Sequence, residues 1–331
     1  MKKYLIAFSL FTILCRCSTE EQPEPPVEEP KVFKTTLGFA GEITSVIETP
    51  LTRTSSANLY AIQIYSSPNT EGSGNYTCYA YGLFDDISSI KVKLLSGYKY
   101  KFTATMIVDG RSKVQHNDTT FYIPMTNLNF GITQPYSIPL NNLFNPTTKE
   151  ELHIIRGWTS LAVDNQSYFR PNTDRYYGEL SDFVPSENGT ATIPMKRVSF
   201  GLKLIAHQFT EGTIKIALEN APDLQIVYPA TEISDIFTFN SCQGAYAAPD
   251  TYSENLPVSL RWIKSDGAII PLSTQNIAFK RNKLTTITVE IKDSSFNNGI
   301  GINIETDSMA IGDSINIETG TTTDTPVTPG N

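Results

Sequence analysis

The chain has 331 residues, with 26 basic against 34 acidic side chains and a formal charge of −8. Such a surface repels nucleic acid and anionic lipid, which excludes the function classes that bind either one through charge. Four cysteines, two of them Cys15 and Cys17, are too few for a disulfide framework, and beyond the first residues no stretch is apolar for long enough to cross a bilayer. At the start, Lys2 and Lys3 precede an apolar run from Tyr4 to Leu14. That run is too short for a stable transmembrane helix and has the form of a secretory signal, assigned to residues 1–16. Next come Glu20, Glu21, Glu24, Glu28 and Glu29 among Pro23, Pro25, Pro26 and Pro30. Charge repulsion and proline predict a disordered acidic tether over 17–31, about 40 Å long at polyproline rise. Loss of residues 1–16 removes Lys2, Lys3 and Arg16 and takes the formal charge from −8 to −11.

From Val32 onward the period of the apolar positions is two. Phe33, Thr35, Leu37 and Phe39 alternate with Lys34, Thr36 and Gly38, and Pro50 ends the stretch. The segment therefore reads as a first strand able to pair at a sheet edge. Tyr60, Ile62 and Ile64 share one face of the next strand. Ile90, Val92 and Leu94 alternate with Lys91 and Lys93, and Tyr98, Tyr100, Phe102, Ala104 and Met106 alternate with Lys99, Lys101, Thr103 and Thr105. Ser96-Gly97 between them predicts a hairpin, because glycine reaches the positive φ of a tight turn. Residues 125–190, rich in Asn, Pro and Thr, read as long loops and edge strands. The alternation returns in Val198/Phe200/Leu202/Leu204, in Ile214/Ile216/Leu218 and in Ile287/Val289/Ile291, with turns at Glu187-Asn188-Gly189 and Ser265-Asp266-Gly267.

This pattern predicts an all-β chain of two tandem β-sandwich domains at 32–193 and 194–319, with a disordered tail at 320–331. Near the end, Ile302-Asn303-Ile304-Glu305-Thr306 recurs as Ile315-Asn316-Ile317-Glu318-Thr319. Two copies suit a terminal hairpin better than a solenoid. Cys78 and Cys242 are the thiols of the body, and sequence alone leaves their pairing open.

Little here carries chemistry. His116, His153 and His207 belong to no metal or nucleophile spacing, and no phosphate loop, zinc motif or EF-hand loop is present. Catalytic residues, metal ligands and cofactors are therefore read as none, and the chain as no enzyme. "NTDRYYGELSD" holds Asp174, Arg175, Glu179 and Asp182, which reads either as a salt-bridged loop at a strand end or as a carboxylate pair for glycoside hydrolysis. Aromatics are numerous, 17 Phe, 16 Tyr and 2 Trp, and most serve packing. Trp158, Tyr168, Tyr176 and Tyr177, in or beside predicted loops, are the candidate contacts for a stacked glycan.

Three resemblances bear on address and assembly. Leu14-Cys15-Arg16-Cys17 resembles the Leu-x-x-Cys lipobox of bacterial lipoproteins, with Cys17 as the acylated residue and Arg16 where the family carries a small one. Cys15, with Thr12 three residues before it, fits less well. The acidic stretch behind Cys17 is similar to the surface-export signal of Bacteroidetes lipoproteins, which implies a lipid anchor in the outer membrane facing the cell exterior; a plain periplasmic tether is the alternative. Finally, the order of lipobox-like Cys17, acidic tether, "VFKTTLGFAGEITSVIETP", "LTRTSS" and two β-rich halves joined near "IPMKRVSFGLKLIA" resembles the fimbrillin-like, type V pilin-like surface lipoproteins of that phylum. That resemblance implies a lipidated precursor, cleavage at Arg53 behind the first strand, and pilus or adhesion subunits that exchange strands, with Ser314 to Glu318 as the candidate donor. Partners would be the membrane through the lipid, other pilin subunits, or host or polysaccharide glycans. The competing class is a monomeric glycan-binding accessory lipoprotein.

Overall fold

The computed structural model describes residues 30–43, 58–72, 74–125, 137–208, 210–291 and 300–309. Cys17 with the signal and most of the tether, Arg53, Ser314 to Glu318 and the tail all lie outside the described residues.

The strands run in chain order as β1 (Val32–Gly41), β2 (Leu59–Pro68), β3 (Thr77–Phe84), β4 (Lys91–Leu95) and β5 (Tyr98–Ile107), then five short ones. These are β6 (His116–Asn117), β7 (Thr120–Phe121), β8 (Ile138–Pro139), β9 (Phe144–Pro146), and β10 (Thr159–Ser160). After β11 (Ser167–Tyr168), β12 (Arg175–Phe183) and β13 (Thr190–Arg197) complete the first half. Its main sheet has eight strands in the order β4-β1-β13-β12-β5-β2-β3-β9. The second half holds β14 (Ser199–His207), β15 (Thr213–Leu218), β16 (Leu224–Val227), β17 (Glu232–Thr238), β18 (Ser253–Ile263), β19 (Ile269–Lys280), β20 (Lys283–Ile291) and β21 (Ile300–Ser308). They form two four-stranded sheets, β17-β14-β20-β21 and β16-β15-β18-β19. The fold is all-β, as the period of two requires.

The second half is a sandwich. Phe200, Leu202, Leu204 and Val289 of one sheet meet Ile214, Ile216, Val258 and Phe279 of the other in a single core. Each of these positions alternates with an outward neighbour, which is how two pleated faces close on each other.

The first half departs from the expected sandwich in three ways. First, the residues around Ser96-Gly97 do not make a hairpin. β4 pairs with β1, whereas β5 lies between β12 and β2. Gly97 at φ 79° turns the chain instead from β4 to a strand four places away in the same sheet, and Leu94 and Phe102 enter the same core. Tyr100, wholly buried, clamps this arch with its hydroxyl, accepting from Leu95 N (2.8 Å) and donating to Leu95 O (3.2 Å). Both geometries present the same alternation and the same glycine, so the pattern cannot separate them.

Second, β2 is buried on both faces. Tyr60, Ile62 and Ile64 enter the core inside the curled sheet, while Leu59 and Ala61 join Leu152 and Ile154 in the cluster that continues into the second half. The described irregular residues 110–125 and 137–160 thus supply cover for the sheet's outer face, through Val114, Phe121, Ile138, Leu152 and Ile154. Third, the boundary placed between 193 and 194 falls inside β13, which pairs with β1 and β12. Val198 alone separates β13 from β14; it donates to Arg175 O (2.8 Å) and accepts from Phe239 N (3.1 Å). A one-residue, fully buried connection leaves no linker between the halves.

Candidate functional site

Two places carry arrangements that packing alone does not require. The first is the seat of β1. Its residues 36–41 run parallel to 190–195 of β13, and its residues 32–36 run antiparallel to 91–95 of β4. β1 is therefore second from the edge, not the edge itself as expected, and its removal would open a slot between two strands. Thr35 and Leu37 are buried and Phe33 and Phe39 half-buried on the inward side, with Phe39 stacked on Tyr60 at 5.6 Å. The hydroxyl of Thr35 has no hydrogen-bond partner among the described residues. An unsatisfied buried hydroxyl costs about 1 to 3 kcal/mol, so β1 fills its seat imperfectly.

Directly behind β1, Glu42 leaves the first half for the second. Its Oε2 accepts from the Arg197 backbone N–H (2.8 Å) and from Arg281 Nη1 (2.8 Å), and its Oε1 accepts from Arg281 Nη2 (3.0 Å). Burial raises the carboxyl's affinity for its proton, but the Arg281 fork and the Arg197 amide outweigh it, and the pKa lies below the ordinary 4.5. The stabilisation is thus complete above about pH 4.5 and fades as pH falls through the folded value. Next to it, Arg197 grips Asp174 with Nε and Nη2, both at 2.8 Å, and reaches Asn282 Oδ1 at 3.3 Å.

The second place is aromatic. Trp158, half-buried, lies edge-on to His153 at 5.4 Å and beside Phe169 at 5.7 Å. Phe169 is 40 % and Ile155 38 % exposed, so an apolar surface faces solvent here. Burial, helped by Arg156, depresses the His153 pKa to about 4, and the imidazole is neutral at pH 7. The segment is fixed from below by Arg175, which is wholly buried and donates to Ile154 O (2.8 Å), Arg156 O (2.8 Å) and Thr105 Oγ1 (2.8 Å). Gly157 completes the fixation: its N–H meets Asn240 O at 2.9 Å, and a Cβ there would collide with the Phe239 carbonyl.

Two of the other candidate glycan contacts, Tyr176 and Tyr177, do not lie at the surface. Tyr176 and Tyr177 are 0 % exposed, because β12 is a central strand between β13 and β5 and not a loop. Tyr176 points into the first core, and Tyr177 packs edge-on against Tyr246 and donates to Glu179 Oε1 (2.6 Å). Tyr168 remains half-buried at the surface, its hydroxyl donating to Asp164 (2.6 Å). The four charged residues of this stretch are engaged in structural roles. Asp174 pairs with Arg197, Glu179 with Lys101 (3.6 Å) and Asp182 with Lys99 (3.0 Å), while Arg175 is the clamp described above.

A shallow groove of about 580 Å³ lies at the far end of the first half, lined by Cys78, Tyr79, Tyr98, Tyr100 and Thr147 among others. Burial and the nearby Glu151 carboxylate push the Cys78 thiol up to about 11, which favours its protonated form at neutral pH. Cys78 and Cys242 are unpaired. Among the described residues no three His, Cys, Asp or Glu side chains are grouped to hold a metal ion, and no helix is long and apolar enough to cross a membrane.

No family model matches the chain, and no curated protein matches it. Solved structures similar to it include fimbrial proteins. One is the tip fimbrial protein Mfa3 from Porphyromonas gingivalis with C-terminal truncation, 8% identical with a TM-score of 0.36, over 84% of this chain and 100% of that one. Another is the fimbrial anchor protein Mfa2 from Porphyromonas gingivalis, 9% identical with a TM-score of 0.37, over 85% of this chain and 99% of that one.

Proposed function

We propose that the chain is a fimbrillin-like structural or adhesion subunit, delivered to the outer face of the outer membrane by a lipid on Cys17 and held as a precursor by β1. The observation that carries this reading is the seat of β1. The strand lies between two partners, fills its inward side imperfectly at Thr35, and is followed by residues 44–57, which contain Arg53 in a small, polar stretch suited to cleavage. Losing it would bare two rows of backbone hydrogen-bonding groups and an apolar floor, a site that accepts a strand from another chain. The test treats acyl-labelled precursor with an arginine-specific protease. Cleavage after Arg53 should release the label with the fragment ending there, and native gels should then show ladders. A stable monomer after cleavage, or no cut at Arg53, removes the assembly reading.

A second reading, a monomeric glycan-binding accessory lipoprotein, is favoured by one observation, the exposed Trp158–Phe169 surface held rigidly by Arg175 and Gly157. Pyranose rings stack on such faces, and an aromatic contact of this kind contributes about 1 kcal/mol or more. Trp158→Ala and Phe169→Ala should each weaken retention by mannan or arabinogalactan gels about fivefold, at unchanged circular dichroism, in proportion to that energy. Retention by neither gel, or retention the two variants leave unchanged, removes this reading.

A further inference from the structure

We infer that the seat of β1 selects its occupant at two positions: it takes an extended strand, parallel to β13, that is apolar where Thr35 stands and carries a carboxylate where Glu42 stands. This rests on the reading of β1 as a removable strand and deepens it, since it states what a replacing strand from another chain must look like.

The argument begins with Arg281. Its guanidinium is 6% exposed and has one carboxylate partner, Glu42. It also donates to the Pro249 and Arg197 carbonyls. Arg281 belongs to the turn between β19 and β20, in the second half, while Glu42 directly follows the strand seated in the first. Departure of β1 therefore takes away the counter-charge of a buried cation on the other domain. A strand that returns without a carboxylate at that place leaves the cation uncompensated, which is the strongly unfavourable arrangement for a buried pair. A positive slot end and an acidic strand end also match in charge, and this gives the seat a polarity: the strand enters with its acidic end toward the second half.

Thr35 supplies the second criterion. Its side chain is 1% exposed, and its hydroxyl lacks a partner among the described residues. An apolar residue of similar shape satisfies the same volume without a stranded hydroxyl. Leu37, two residues on, is buried in the same core. The preferred occupant thus has apolar residues at the first two of these inward positions and Asp or Glu five residues after the second, spacing read from 35, 37 and 42.

The test uses the full chain with a specific protease sequence inserted between Ser55 and Ser56, so that nicking does not depend on Arg53. After nicking, release of the N-terminal fragment is followed by size exclusion, with a labelled synthetic peptide of residues 30–43 as competitor. Glu42→Gln should speed release about tenfold or more, and Arg281→Met should remove that difference between Glu and Gln. Thr35→Val should slow release about threefold or more, and the peptide carrying Val at 35 should displace the native fragment better than the peptide of native sequence. Release rates within twofold of each other for all variants overturn the proposal. A fragment that stays bound in every variant overturns it as well, since the seat then has no exchangeable occupant. The reading of Arg53 as the natural cut is judged separately, by whether the chain without the insertion is cut there and forms ladders.

Discussion

Phe102→Ala should destabilise the chain by about 3 to 5 kcal/mol, seen as a lower urea midpoint at unchanged slope. Phe102 is wholly buried, at the centre of β5, with Ile64 of β2 and Leu180 of β12 opposite it on either side. Its ring meets Phe183 edge-on at 5.7 Å. Truncation removes the ring from a closely packed interior with strands on both flanks, so the site cannot collapse onto the void, and the cavity contribution adds to the lost transfer energy. Lys101→Ala, one residue away, is the control. Lys101 reaches Glu179 at 3.6 Å with both side chains partly solvated, an interaction within about 1 kcal/mol. Equal losses at the two positions would contradict the facing assigned to β5.

What alternation fixes is the side of a strand each residue occupies, and there the reading from sequence agrees with the structure. Ile90, Val92, Leu94, Tyr100 and Phe102 are buried, and Lys91 and Lys93 are exposed. Which strand lies next to which is decided by contacts distant in sequence, and alternation carries no information on that. Hence the arch at Ser96-Gly97 was indistinguishable from a hairpin, and β1 from an edge strand. Strand β12 was missed for another reason. Arg175, Glu179 and Asp182 give it the composition of a loop, yet Arg175 is buried because two carbonyls and a threonine hydroxyl receive its donors. A buried cation satisfied by backbone carbonyls leaves no local signature in the sequence. The same error placed Tyr176 and Tyr177 at the surface. Of the candidate site, Trp158 was visible as an aromatic in an irregular region. Glu42 was not, since its partner Arg281 lies 239 residues away.

Arg197→Met should destabilise the chain by about 3 to 5 kcal/mol, and more than the reverse substitution Asp174→Asn does. Arg197 and Asp174 face each other with side chains 1% and 9% exposed, and the guanidinium meets both carboxylate oxygens at 2.8 Å. Without Arg197 the carboxylate is stranded in the interior with its fork-like partner gone, and it must either stay charged without compensation or take up a proton. Burial lowers the Arg197 pKa, and Asp174, with lesser help from Tyr176 and Glu42, raises it above the ordinary arginine value; without the Asp174 charge the guanidinium still keeps Asn282 Oδ1 and the field of Glu42. The two single losses should therefore be unequal. The double variant Asp174→Asn/Arg197→Met should recover about 1 to 3 kcal/mol relative to their sum, because the residues share one interaction. Trp158 and Trp262 report on the first and second halves, so fluorescence during urea unfolding reads both. A single-variant loss below about 1 kcal/mol at Arg197 would show that this pair behaves as a solvated surface contact. A loss confined to one tryptophan's transition would show that the pair does not couple the halves. The expected result is one shared transition at lower urea, since Val198 and the arginine network leave no hinge at which one half can open without the other.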